Sequence, residues 1–160
     1  MPCIIGFGLD AADIDRIAYT IERYGERFLY RVFTDDEVAY CIRRRVPAIH
    51  FAGRFAAKEA AMKALGTGHS QVVRWRGIEV VRLGGSPQLQ FRGGAARRFA
   101  ALGGQSSPLT ITHSDSLALA QVLILARSRN SGCQSCSHTG RVRPRSRAGS
   151  TKVHACRRLP

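Results

Sequence analysis

Long apolar runs are missing from this 160-residue chain: the longest, Leu117 to Ala126, is interrupted by Gln121 and is too short to span a bilayer. No early stretch joins a basic start, an apolar middle and a small-residue cleavage site, so the expected location is the cytoplasm, with no membrane contact. The five cysteines fall at irregular positions, two of them (Cys3 and Cys41) inside apolar or helical patterns. That excludes a secreted disulfide framework and predicts reduced thiols. Carboxylates are also scarce, with only Glu79 and Asp115 following Glu59. A cation site that needs two acidic ligands has few ways to be built.

What is present is enough apolar sequence, 44%, for one core, and a net charge of +14 that is unevenly spread. Residues 128–160 hold 8 Lys/Arg and no carboxylate, whereas residues 1–127 set 17 Lys/Arg against 11 Asp/Glu, a net +6. The composition beyond Ala126 turns to Ser, Arg, Gly, Cys and Pro. The chain therefore reads as one domain, 1–127, followed by a basic tail, 128–160, that stays outside the core. A basic surface implies an anionic partner, and charge alone does not choose among nucleic acid, acidic protein and a phosphate-rich small molecule.

Residues 3–9 read as a short buried strand with Asp10 at its end. Helical spacing follows from Asp13 to Val32 with a break at Gly25, then a Thr34-x-x-Glu37 capping box opens a helix to about Arg44. The longest helical pattern runs from about Ile49 to Leu65 and stops at Gly66-Thr67-Gly68, where glycines can turn left-handed. The second half predicts a hairpin of residues 78–81 and 88–91, a helix near Ala95 to Leu102, and strands 109–113 and 117–125 joined by a tight turn. The expected class is α+β, with a mostly antiparallel sheet packed on a long helix.

Glu59 and Lys63 stand four apart on that helix and share a face. On spacing alone this is a solvent-exposed salt bridge, but Phe55, Ala56, Ala57, Ala60, Ala61, Met62 and Ala64 make the helix apolar around much of its circumference. Part of the set Arg54, Lys58, Glu59 and Lys63 must then lie near the core, where charges need partners. Asp10 with Glu59 is the attractive carboxylate pair for Mg2+, which takes one or two protein carboxylates and fills its other positions with water and phosphate oxygens. His113 ends a strand beside a polar turn, a weak signal by itself. The string Thr112-His113-Ser114-Asp115-Ser116 holds the residue types of a hydrolase triad, but neighbours on a strand point in different directions, which argues against that chemistry. Cys133-x-x-Cys136-x-His138 and His154-x-Cys156 lack the second half of a zinc-finger spacing and read as tail.

Taken in order, Ile5-Gly6-Phe7-Gly8-Leu9-Asp10, Phe28 to Thr34, Phe51-Ala52-Gly53-Arg54-Phe55-Ala56-Ala57-Lys58-Glu59-Ala60, Lys63-Ala64-Leu65-Gly66-Thr67-Gly68 and Thr110-Ile111-Thr112-His113-Ser114 resemble the successive motifs of the holo-acyl-carrier-protein synthases. These are the short phosphopantetheinyl transferases, and the resemblance covers residues 4 to about 126. It implies an enzyme of fatty acid biosynthesis that moves 4'-phosphopantetheine from coenzyme A to a serine of an acidic acyl carrier protein, releasing adenosine 3',5'-bisphosphate.

By the same resemblance Asp10 and Glu59 would hold Mg2+, Lys63 and His113 would sit at the transferring phosphate, and Arg54, Gly66, Gly68 and Pro87 would help bind coenzyme A. His113, Glu59 and a metal-bound water are all chemically able to take the serine proton. Arg16 and Arg23 would meet the carrier protein. The family's homotrimers imply sites shared between neighbouring subunits. Two positions depart from the family: Asp13 stands where glutamate is common, and Leu117 where an aromatic follows the histidine turn. Nucleic acid would be bound only nonspecifically, through the tail.

Overall fold

The computed structural model describes residues 1–68, 72–82 and 84–127. The segment 128–160, with its Cys133, Cys136 and His154 spacings, lies outside them. The first strand, β1 (Pro2–Asp13), leads into α1 (Ile14–Tyr24), which starts where the Asp13 carboxylate accepts the Arg16 N–H at 2.7 Å. An aspartate at this N-cap does the work that position requires, since it satisfies a backbone donor the helix leaves free. Gly25, at φ 51°, separates α1 from α2 (Glu26–Val32) as expected. Thr34 and Glu37 form the anticipated capping box on α3 (Asp35–Ile42).

Helix α4 (Pro47–Ala64) opens two residues before the apolar pattern does, because proline at the first turn has no N–H to leave unpaired. Ala52, Ala56, Ala57, Ala60, Ala61 and Ala64 are all buried, so neighbours approach this helix from several sides. It stops at Gly66 and Gly68, whose φ values of 68° and 54° are the left-handed turn predicted from sequence. A 3-10 turn at Trp75–Gly77 then precedes β2 (Ile78–Val81), β3 (Gln88–Phe91), α5 (Gly93–Ala101), β4 (Leu109–His113) and β5 (Leu117–Arg127).

The α+β class holds, with every strand pairing antiparallel. The strands divide into a sheet of order β1-β5-β4 and the β2-β3 hairpin, joined through a bridge between Gln88 and Pro108. The inner face of the larger sheet buries Ala118, Ala120, Val122 and Ile124 against α4. Gly6 and Gly8 make this contact possible: a Cβ on Gly8 would overlap the Ala60 carbonyl, and one on Gly6 the Ala64 carbonyl. Two expectations are corrected. The first strand is not buried: only its glycine-bearing face packs on α4, and Ile4, Phe7 and Leu9 on it are exposed. Asp10 is not at a strand end but inside β1, paired with Ala120, and the pairing continues to Asp13 with Leu117. The 11 residues of β5 offer a partner beyond the apolar stretch that ends at Leu9.

Candidate active site

The pitch of α4 sorts its charged residues. At about 100° per residue, Glu59 and Lys63 stack on one face, while His50, Arg54 and Lys58 stack on another; Arg54 lies about 180° around the helix from Lys63. The two faces build two different sets.

On the first face, Lys63 Nζ donates to Asp10 Oδ1 at 2.7 Å and to the Leu9 carbonyl at 3.1 Å. The Asp10 side chain is 16% exposed and that of Lys63 51%, so the pair opens to solvent from the lysine side. Half-buried Glu59 stands one turn before Lys63. The glycines of β1 are what bring an aspartate this close to a helix. The Asp10 carboxylate, with Glu59 on the same face of α4 as Lys63, offers hard oxygen donors of the kind Mg2+ shares with phosphate oxygens. No group of three or more His, Cys, Asp or Glu placed to hold a metal ion occurs among the described residues.

On the second face a cleft of about 220 Å³ is lined by Tyr40, His50, Arg54, Arg82, Pro87 and His113, among others. Three of the expected coenzyme-binding residues, Arg54, Pro87 and His113, therefore meet. Gly66, Gly68 and Lys63 do not line this cleft; they belong to the opposite face and the turn that follows it. The guanidinium groups of Arg44 and Arg54 lie 4.1 and 4.0 Å from the Tyr40 ring centroid. Burial pushes the Tyr40 phenol up, but the nearby guanidiniums of Arg82, Arg54 and Arg44 outweigh it and hold the group below its ordinary value. Arg54 Nε is buried with no hydrogen-bond partner among the described residues, a donor suited to an anionic ligand.

Behind the cleft is a buried ionic network. Fully buried Lys58 pairs with Glu37 at 2.7 Å and donates to the carbonyls of Trp75, at 3.1 Å, and Ile78. Glu37 also accepts the Val80 N–H at 2.9 Å, and Glu79 accepts from Thr34 Oγ1 at 2.9 Å and meets Arg92 at 2.6 Å. Burial lowers the Lys58 pKa, while the charges of Glu37 and Glu79 pull it back. The sequence signalled that charges would be buried on α4 but not which ones. Tyr40, His50 and Arg82 also went unnamed, although His50-x-x-x-Arg54 places two polar groups on one helical face.

Arg16 and Arg23 lie two turns apart on α1, both exposed, while Ile14 and Ile17 of the same helix are buried. Arg23 donates to the Tyr19 hydroxyl at 2.8 Å, and Arg16 borders a second cavity of about 290 Å³ that includes Ile17, Phe28 and Phe55. A cation beside an apolar hollow suits an amphipathic partner surface.

Known proteins resemble this chain in sequence and in fold. Holo-[acyl-carrier-protein] synthase of Methylobacterium radiotolerans is 50% identical over 125 residues, covering 76% of this chain and 92% of that one. The enzyme of the same name from Solibacter usitatus is 46% identical over 122 residues, 76% and 98% of the two chains. Among solved structures, holo-[acyl-carrier-protein] synthase of Neisseria meningitidis superposes with a TM-score of 0.71 at 28% identity, over 76% of this chain and 98% of that one. The Helicobacter pylori enzyme in complex with coenzyme A gives 0.66 at 26%, over 74% and 98%. The model of the 4'-phosphopantetheinyl transferase superfamily matches residues 6–122, from the glycines of β1 through Val122 of β5, and the chain belongs to that family.

Proposed function

We infer that this chain is a holo-acyl-carrier-protein synthase, transferring 4'-phosphopantetheine from coenzyme A to a serine of apo acyl carrier protein, in fatty acid biosynthesis. The observation that carries the reading is the Asp10–Lys63 pair, with Glu59 on the same helical face. In the reaction the serine oxygen bonds to the β-phosphorus, the bond from that phosphorus to the oxygen bridging the α-phosphate breaks, and adenosine 3',5'-bisphosphate leaves. Asp10 and Glu59 would hold Mg2+, which when bound supplies positive charge to the diphosphate oxygens. Lys63 presents its ammonium to the transferring phosphate, where it neutralises developing charge. Arg54 and its neighbours bind the nucleotide end, Pro87 walls it, and His113 supports the pantetheine phosphate from the end of β4. The Gly66–Gly68 turn leaves its backbone open for close approach by the coenzyme.

A homotrimer accompanies this reading. Two features support it: the two residue sets face opposite sides of α4, and the outer face of β1 leaves Phe7 57% and Leu9 49% exposed. A neighbour covering that face would bring one subunit's Asp10 set to another's Arg54 cleft. Arg16 and Arg23 would receive the acidic carrier protein. A cytoplasmic location goes with these substrates and with the free thiols of Cys3 and Cys41; no described helix is long and apolar enough to cross a membrane. Mass spectrometry of apo carrier protein incubated with the chain, coenzyme A and Mg2+ tests the function. One added phosphopantetheine group is expected; an unchanged carrier mass under all metals and pH values tried would overturn it.

A further inference from the structure

His50 lines the same cleft as Arg54, Arg82 and His113, with its ring edge-on to Tyr40 at 6.1 Å between centroids. The groups that face it come from each element around the cleft: Arg54 from α4 itself, Tyr40 and Arg44 from α3 and the loop after it, Arg82 from the end of β2, and His113 from β4. Among the described residues, none that lines the cleft is a carboxylate. An imidazole in this place is surrounded by fixed positive charge, so a proton on it is disfavoured while the cleft holds no anion. A ligand with several phosphate charges reverses that field and at the same time offers an acceptor to the imidazolium.

We propose that His50 is a proton-linked contact for the phosphate-bearing end of the nucleotide, neutral in the open cleft and protonated once the phosphate enters. Burial, followed by the charges of Arg54 and Arg44, holds the free imidazole below the ordinary histidine value, in keeping with the neutral starting state. The inference rests on the reading of this cleft as the coenzyme site and adds to it a specific role. Affinity for nucleotide should fall as pH rises through the range where the bound form of His50 loses its proton, because binding is then no longer coupled to uptake.

The test is titration calorimetry of the full chain with adenosine 3',5'-bisphosphate, in buffers of different ionisation enthalpy, for the unmodified protein and for His50→Gln. The nucleotide's own phosphates titrate nearby, so the readout is the difference in proton uptake between the two proteins. The expected difference near neutral pH is roughly half a proton or more per site, with a flatter pH dependence of affinity in the variant. Equal uptake by two proteins that both bind the nucleotide would overturn the role of His50 and leave the coenzyme cleft standing. Binding by neither would overturn the cleft assignment and the proposal with it. Should His50→Gln fail to fold, proton NMR of histidine-labelled unmodified chain decides the matter: the His50 titration must move to higher pH when nucleotide is added, and an unmoved titration refutes the proposal.

Discussion

Asp10 is held between two demands. Its backbone is fixed in the ladder opposite Ala120, and its side chain receives the Lys63 ammonium at 2.7 Å, so removing the carboxylate costs little packing while stripping the proposed metal site of an oxygen ligand. Asp10→Ala and Glu59→Ala should each lower transferase turnover by on the order of 10²–10³-fold or more while leaving circular dichroism and melting unchanged within a few degrees. Near-normal activity in both would mean that the carboxylate pair is wrongly assigned. These two residues were legible in the sequence because acidic groups are so rare beyond residue 59 and because Glu59 and Lys63 have helical spacing. Tyr40 and His50 were not. Their place depends on α3 and α4 meeting across a cleft that β2 and β4 complete, and spacing along one segment carries no information about that meeting.

The elements around the cleft are tied by Lys58. Its ammonium joins Glu37 of α3 to the carbonyls at the start of β2, and Glu37 in turn fixes the Val80 N–H, so one buried pair sets how α3, α4 and the hairpin stand relative to one another. Lys58→Met would leave the Glu37 carboxylate buried without its cation, at a cost of about 3–5 kcal/mol in unfolding free energy. Adding Glu37→Gln to that variant should return part of the loss, since the uncompensated charge is gone. Urea unfolding followed by the fluorescence of Trp75, the single tryptophan, measures both; a double variant as unstable as the sum of the two single changes would show that the residues are not coupled. Most elements were legible in the sequence, including both strands of the hairpin, the capping box and the glycine turn after α4. The extent of β1 was not, since Asp10 to Asp13 are in a strand only through the length of β5, a partner more than a hundred residues away.

For the whole molecule the question is whether one chain contains a complete site. Helical geometry sets Arg54 about half a turn of the wheel from Lys63, and Arg54 lines a cleft from which Asp10 and Lys63 are absent. The basic segment 128–160 falls beyond the residues matched by the family, and its removal should leave turnover within about twofold while abolishing any salt-sensitive DNA binding. Sharing between subunits has a more direct consequence. Asp10→Ala and Arg54→Ala chains, each inactive alone, should recover activity when co-expressed, because an interface that joins the Asp10 half of an Arg54→Ala subunit to the Arg54 half of an Asp10→Ala subunit is fully native. A closed ring of three contains such an interface in every mixed trimer, once per ring, which amounts to about a third of the sites in rings that carry both variants. Co-purification on two affinity tags followed by the carrier-protein mass assay reads the outcome. Recovery near that level requires Asp10 and Arg54 to act across a subunit boundary, whereas the absence of recovery in verified mixed oligomers would put both residues to work within the same chain and remove the reason for the trimer.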